Sequence, residues 1–398
     1  MSAVVALAVG LSSPPGTAQE AWGLAAALGY GCAAAVAARS TQAWARVPAV
    51  IAVLGAAVVP LTYLTVVGTA QMEVGVVERG ADLLLSNGTP YHATPRTVPE
   101  FNPYLPGMSL FGIPHVLFGD TPLTGARLWF GIGFLAAALG TVRVLAKRTD
   151  HTPHGITGGM GVLWLIACPV VALPLAIGGV DPPVIGLICL ALAFAHRGNA
   201  GRAGLALGVA AALKWTAWPA IPVLVALFAV TRGGRAAVRS ATGALGIAVL
   251  CTLPVALGDT GAFYQNVVLY PLGLGPTASS AQSPLLGHLI VSLVPNGKAV
   301  TVVLIGLSAL GVGISLLARP PRSTVAAADR LALGLILAIL LSPATRIGYA
   351  IYPIVLLVWP RFAAALTAAP RGNAPRAAPP ADGQDATKSG APTVARNS

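Results

Sequence analysis

Apolar runs of bilayer-crossing length leave this chain few folds to choose from. A helix needs about 20 residues to cross the hydrocarbon core, and runs near that length fall at 21–38, 48–68, 125–146, 157–177, 181–196, 237–257, 299–318 and 347–366. Shorter apolar pieces lie at 105–118, 203–213, 216–230, 284–294 and 330–342. Only 9 % of the residues are charged, whereas a soluble domain is about a quarter charged. Lipid offers the backbone no hydrogen bonds, so segments of this kind must satisfy their own as helices. The expected fold is therefore all-α and polytopic, with about ten to eleven membrane segments. Residues 21–366 form the embedded body, 1–20 an N-terminal tail, and 367–398, rich in Pro, Ala and Gly, a disordered tail.

The net charge of +12 would suit nucleic acid if it were clustered, but it is not. Basic residues recur in alternate connections: Arg39 and Arg46; Arg143, Lys147 and Arg148; Arg197 and Arg202; Arg232, Arg235 and Arg239; Arg319, Arg322 and Arg330; then Arg361 and the tail. That alternation is the positive-inside pattern. It assigns these segments and the C-terminus to the cytoplasm, in a multi-pass protein of the cell membrane, and attracts anionic lipid rather than nucleic acid. Two long connections, 70–124 and 258–298, fall on the outer side. The four cysteines, Cys32, Cys168, Cys189 and Cys251, sit in apolar runs without a CxxC pair, which argues against a disulfide framework or a zinc site. His151 and His154 share one short connection and the other histidines are scattered. With no Asp-x-Asp, Walker or strand-placed GxGxxG motif, neither a metal nor a nucleotide cofactor is expected.

The outer stretch 70–104 is a polar island holding four of the twelve acidic residues: Glu73, Glu78, Asp82 and Glu100. Residues 71–86 read as a helix, with Thr69 as N-cap and Asn87-Gly88 as the stop. Val74, Val77, Ala81, Leu84 and Leu85 share one face, and Arg79 and Asp82 share the other, spaced to pair. This pattern predicts a short amphipathic helix on the outer membrane surface. Glu73 lies in its first turn at the edge of the apolar face. A carboxylate there either caps the helix or serves as a general base in a membrane-edge cleft, with Asp82 and Glu78 as alternative bases. For Glu78 and Asp82 a solvated helix face is the plainer reading.

Two cations stand in apolar surroundings. Arg346 follows Ser342-Pro343 and opens the last apolar run, where guanidinium and helix dipole suit a phosphate; the alternative is an arginine snorkelling to headgroups. Lys214, between Leu213 and Trp215, either meets the same phosphate or pairs with Asp181. Tyr349 and Tyr352 follow Arg346. Tyr104 sits at interface depth, to anchor or to stack on a sugar. Gln282 and His288, in the second outer connection, are within reach of sugar hydroxyls or are ordinary loop residues.

Several stretches together resemble glycosyltransferase family 87, bacterial polyprenyl-phosphate-sugar-dependent enzymes of the GT-C class. They are Glu73-Val74, Ala81-Asp82-Leu83-Leu84-Leu85, Gly88-Thr89-Pro90-Tyr91 and Asn102-Pro103-Tyr104-Leu105-Pro106. Later stretches are Gly179-Val180-Asp181, the glycine-rich Gly204 to Trp215, and Leu341-Ser342-Pro343-Ala344-Thr345-Arg346. The likeness spans about residues 47–366. The chain departs from the family in carrying Glu73 where aspartate is usual, and in having helix 21–38 before the usual first span. The resemblance implies a GT-C-type helical bundle and transfer of a sugar, often mannose in an α-1,2 linkage, from polyprenyl phosphate to a glycolipid or glycan acceptor on the outer face. The family's donors are β-linked, so a single displacement implies an α product. In that scheme Glu73 is the base, Arg346 and Lys214 hold donor phosphate, and Tyr104, Asp181, Gln282, Tyr349 and Tyr352 contact substrate. A transporter or lipid flippase would instead show midplane charges and an internal repeat, and a non-catalytic membrane subunit would tolerate loss of both Glu73 and Arg346.

Overall fold

The computed structural model describes residues 1–40, 45–146, 158–275 and 277–367. Lys147, Arg148, His151, His154 and the C-terminal tail lie outside the described residues. Met1–Thr367 make one compact unit, built of helices, with no strand beyond a single bridge between Gln282 and Thr345 among the described residues. In order these are α1 (Ser2–Ser12), α2 (Ala18–Ala37), α3 (Arg46–Val66), α4 (Met72–Asn87), α5 (Ala126–Ala146), α6 (Gly158–Ile166), α7 (Pro169–Ile177), α8 (Asp181–His196), α9 (Ala200–Leu213), α10 (Ala220–Arg232), α11 (Gly234–Gly258), α12 (Leu286–Leu293), α13 (Gly297–Ala318), α14 (Thr324–Leu341) and α15 (Ile351–Thr367). Among the described residues seven helices are long and apolar enough to cross a membrane, and an eighth span is reached if the bent pair α6–α7 is taken as one. The shorter apolar helices α8, α9 and α15 run among them. The protein is an all-α polytopic membrane protein.

The structure departs from the sequence reading at three places. The expected N-terminal tail is helix α1, folded back on α2. Gly10 and Gly23 meet backbone to backbone there, so closely that a Cβ on Gly23 would strike Gly10. Small residues permit this approach where no hydrophobic effect drives helices together. The expected single span 157–177 is broken between α6 and α7 and bends by 73°. Pro169 lacks an N–H and opens α7, while Cys168 before it is extended. The apolar piece 330–342 starts earlier, at Thr324, where Ser323 accepts a hydrogen bond from the N–H of Ala326.

Helix α2 repairs backbone groups that its neighbours leave unsatisfied. Pro60 has no N–H to offer the Ala56 carbonyl four residues back, and α3 widens into a π turn at Leu54–Val58. The Trp22 indole N–H donates to that Ala56 carbonyl at 2.7 Å. Tyr30 OH donates, also at 2.7 Å, to the carbonyl of Ala167 at the α6–α7 break. Both side chains are buried. Residues ahead of the usual first span are therefore part of the body, not an appendage.

Helix α4 begins one residue late and without Thr69. Gln71 is its N-cap and makes no side-chain cap bond, whereas the Thr69 carbonyl accepts from Arg127 at 2.6 Å. Gly88, at φ 74°, ends the helix; this left-handed turn favours glycine. The buried face holds Val74, Val77 and Ala81 as expected, but also Glu73, Val76 and Gly80, while Leu85 is exposed. The reason is the segment Pro106–Phe118, which doubles back against α4 and rotates the buried stripe toward itself. Arg79 does not pair with Asp82; it donates to the Pro99 carbonyl.

Polar groups divide the bundle into two ends. Arg197, after α8, donates to the Val144 carbonyl at 2.8 Å at the close of α5, and Arg361 pairs with Asp329 at 2.6 Å. The starts of α4 and α8, the end of α9 and the start of α15 gather at the opposite end. Replacing Trp22 with Ala should lower stability by ~3–5 kcal/mol, and with Phe by only ~1 kcal/mol, since the first empties a core site and the second removes one hydrogen bond. Thermal unfolding of the purified protein in detergent distinguishes the two.

Candidate active site

Four ionised side chains from four distant parts of the chain meet at that second end. Glu73 comes from the first turn of α4 and is only 6 % exposed. One of its oxygens accepts from the Arg346 guanidinium, which reaches it from just before α15. Arg346 also donates to Ser280 Oγ at 2.7 Å. The second Glu73 oxygen, Oε2, is buried without a hydrogen-bond partner among the described residues. Burial works against the Arg346 charge, but Glu73 together with Tyr349 and Tyr104 outweighs it and holds the guanidinium pKa above its ordinary value.

Beside this pair, Lys214 Nζ lies 2.5 Å from Asp181 Oδ1. Lys214 is the extended residue that ends α9, and Asp181 opens α8, where the helix N-terminus favours a carboxylate. Tyr352 OH donates to the same Asp181 oxygen at 2.6 Å and accepts from Thr216 at 2.8 Å. The ammonium sits 4.6 Å from the Tyr349 ring centroid and 5.6 Å from that of Tyr104, within reach of a cation–π attraction. Lys214 thus has the Asp181 partner that the sequence offered as the plainer alternative.

The two pairs form a partition. On one side is a cleft of about 900 Å³ walled by Val5, Val9 and Trp22 of the N-terminal hairpin and by Leu173 and Ile177 of α7. On the other is a cavity of about 220 Å³ walled by Phe101, Pro103, Tyr270 and Ser279 to Ala281. Glu73, Tyr104, Lys214, Arg346 and Tyr349 line both. Asn102 holds the smaller cavity's wall in place. Its backbone N–H donates to Asn266 Oδ1 at 2.9 Å and its side chain donates to the Pro90 carbonyl at 3.1 Å, which ties the two long connections together. The N–H groups of Arg96 and Thr97 grip Glu100 in the same wall and hold its carboxyl below the ordinary range.

A buried carboxylate and a half-buried guanidinium thus stand together on the lining of the cleft of about 900 Å³. A model of glycosyltransferase family 87 matches residues 102–343, more than half of the chain. The chain belongs to that family. It is a membrane glycosyltransferase. No curated protein and no solved structure matches it. The family 87 match takes in Tyr104, Asp181, Lys214 and Gln282 but stops short of Glu73 on one side and of Arg346, Tyr349 and Tyr352 on the other. The partition is thus completed by flanks that the match does not cover.

Other residues singled out in the sequence stand elsewhere. Asp82 is exposed on α4. Glu78 is not a solvated-face residue: its Oε1 accepts from the Ala126 N–H at 2.8 Å and so caps α5. The Gln282 side chain is exposed and lines neither cavity; its backbone bridges to Thr345 instead. His288 sits on α12, away from both linings. Ser280, Tyr270 and Thr345 escaped sequence reasoning, because nothing in a Ser-Ser pair or a lone tyrosine marks a residue that a distant arginine will meet. Among the described residues no three His, Cys, Asp or Glu side chains gather as a metal site.

Replacing Lys214 with Met should destabilise the protein by ~3–5 kcal/mol, since it strands a buried Asp181 charge. Adding Asp181→Asn should recover most of that loss. Thermal unfolding of the two single variants and the double variant measures the coupling.

Proposed function

We propose that this family 87 glycosyltransferase moves mannose from a polyprenyl-phosphate donor to a lipid- or glycan-linked acceptor on the extracytoplasmic face, with inversion and with Glu73 as the base. The observation that carries the reading is the contact between Glu73 and Arg346, a base and a phosphate-binding cation in one partition. The apolar cleft suits an isoprenoid chain, and its polar end holds Arg346 and Lys214. Sidedness rests on the arginines at the opposite end of the bundle, which the positive-inside pattern assigns to the cytoplasm.

The donor lies with its isoprenoid in the larger cleft and its phosphate on Arg346. The acceptor hydroxyl gives its proton to Glu73 as its oxygen attacks the anomeric carbon. The carbon–oxygen bond to phosphate breaks, and its electron pair leaves with the phosphate. The donor phosphodiester carries one negative charge and the departing phosphomonoester two, while Glu73 goes from one to none. The total charge in the site does not change, so no charge need enter a poorly solvated space during the step. Protonated Glu73 also loosens its hold on Arg346, freeing the guanidinium fork for the departing phosphate when that group gains charge. Asp181, anchored by Tyr352, positions Lys214 beside the same oxygens. No metal is required by this scheme, because two cations of the chain stand where the leaving group forms.

Glu73→Gln should reduce kcat by ~10²–10⁴ and leave donor affinity within about twofold. Arg346→Met should instead weaken donor binding at least tenfold. Transfer of labelled mannose from polyprenyl-phosphate-mannose, with donor binding measured in parallel, checks both. A Glu73→Gln variant of undiminished activity would move the base elsewhere.

A further inference from the structure

The end of the bundle opposite Glu73 and Arg346 carries cations that the fold does not use. Arg197 there is spent on the Val144 and Leu145 carbonyls, and Arg361 grips Asp329 with both nitrogens at 2.6 and 2.8 Å. Arg232 closes α10, Arg235 and Arg239 stand in the first two turns of α11, and Arg202 stands in the first turn of α9. All four are exposed. Among the described residues none of their side chains has a hydrogen bond or an ion pair. The chain offers no acid nearby in sequence either, since no Asp or Glu occurs from residue 182 to 258.

Two of these cations are brought to one place. A Cβ on Gly198 would stand 2.5 Å from Arg232 Cζ, and one on Gly201 would stand 2.9 Å from Arg239 Nε. Both guanidiniums therefore lie against the turn between α8 and α9, in room that glycine leaves, and Arg202 follows that turn directly. Helices α9 and α11 set off together from here. A Cβ on Gly204 would meet the Ser240 carbonyl and one on Gly208 the Ala244 carbonyl, a four-residue step on both helices, so the two run parallel. The positive ends of both helix dipoles thus adjoin the arginines. The N-cap of α11 is Gly233, which has no side chain to cover its first N–H groups.

An anion suits such a place, and guanidinium forks match phosphate oxygens in particular. A zwitterionic headgroup would bring an ammonium with no carboxylate to receive it. The adjoining surface is apolar. Val238, Leu245, Val249 and Leu253 are exposed along the face of α11 that begins with Arg235 and Arg239. Arg239 joins the two parts, since it stands on that face and reaches the turn. We propose that this end binds one anionic phospholipid, its phosphate on Arg232 and Arg239 over the α8–α9 turn and its chains along the exposed face of α11. The site is separate from Glu73 and Arg346 and does not depend on their roles.

The test counts retained lipid. Purified full-length protein in maltoside micelles is mixed with equal amounts of dioleoylphosphatidylglycerol and dioleoylphosphatidylcholine, and bound lipid is read by native mass spectrometry. The wild type should retain the phosphatidylglycerol in preference. Arg232→Gln and Arg239→Gln should each weaken its retention about fivefold and leave phosphatidylcholine within about twofold. Arg319→Gln combined with Arg322→Gln removes charge from the connection before α14, which meets the same end where Thr324 contacts His196. That variant should retain the lipid as the wild type does. Equal retention of the two lipids by the wild type, unchanged retention in the Arg232 and Arg239 variants, or an equal loss in the Arg319 and Arg322 variant overturns the site. Displacement of the lipid by inorganic phosphate at constant ionic strength also overturns it, since that marks a site for the free anion.

Discussion

A buried carboxylate facing a half-buried guanidinium is the constraint around which the rest of this protein is arranged. Glu73 and Arg346 are separated by most of the chain, yet each is the other's partner in a space with little water. Removing either would leave an uncompensated charge, so α4 and the start of α15 must be held in register. The fold provides this by closing Pro106–Phe118 against α4 and by bonding the connection before α12 to 345–347, where the Ser283 N–H donates to the Thr345 carbonyl at 2.9 Å and the Ile347 N–H to Ser283 Oγ at 3.1 Å. The neighbouring Lys214–Asp181 pair repeats the arrangement with helix ends from the middle of the chain.

The N-terminal hairpin, which lies ahead of the family 87 match, supplies a wall of the larger cleft. Trp22 and Tyr30 donate to carbonyls that Pro60 and the α6–α7 break set free, and this fixes α1 and α2 as one wall of the large cleft. The link from sequence to function runs through prolines here. Pro60 removes the donor of the Ala56 carbonyl and Pro169 marks the break beside the Ala167 carbonyl, each of these carbonyls takes an aromatic donor from α2, and the docked hairpin encloses the space next to Arg346.

Much of this was legible in the sequence where the signal is local. Apolar length fixed most helices, and Asn87-Gly88 marked the end of α4. Charged residues beside apolar runs pointed to Glu73, Lys214, Asp181 and Arg346, and the Lys214–Asp181 pair was among the alternatives, whereas the contact between Glu73 and Arg346 had no local sign. What stayed hidden depends on contacts between distant segments. The buried stripe of α4 turned toward Glu73 because Pro106–Phe118 packs there, and no periodicity within α4 encodes that. Glu78 read as solvated until α5 placed its first N–H groups beside it. Thr345 and Tyr270 carry no local mark at all; they line the smaller cavity only because distant segments meet there.

The account turns on Arg346 exchanging a carboxylate for a phosphate. The direct measurement is a pair of cryo-electron microscopy structures, one of the protein alone and one with polyprenyl-phosphate-mannose bound to the Glu73→Gln variant. The account predicts phosphate density in the larger cleft within hydrogen-bonding distance of the Arg346 guanidinium, and the sugar lying across the partition toward residue 73. Donor density elsewhere, with Arg346 still turned away from the phosphate, would contradict it.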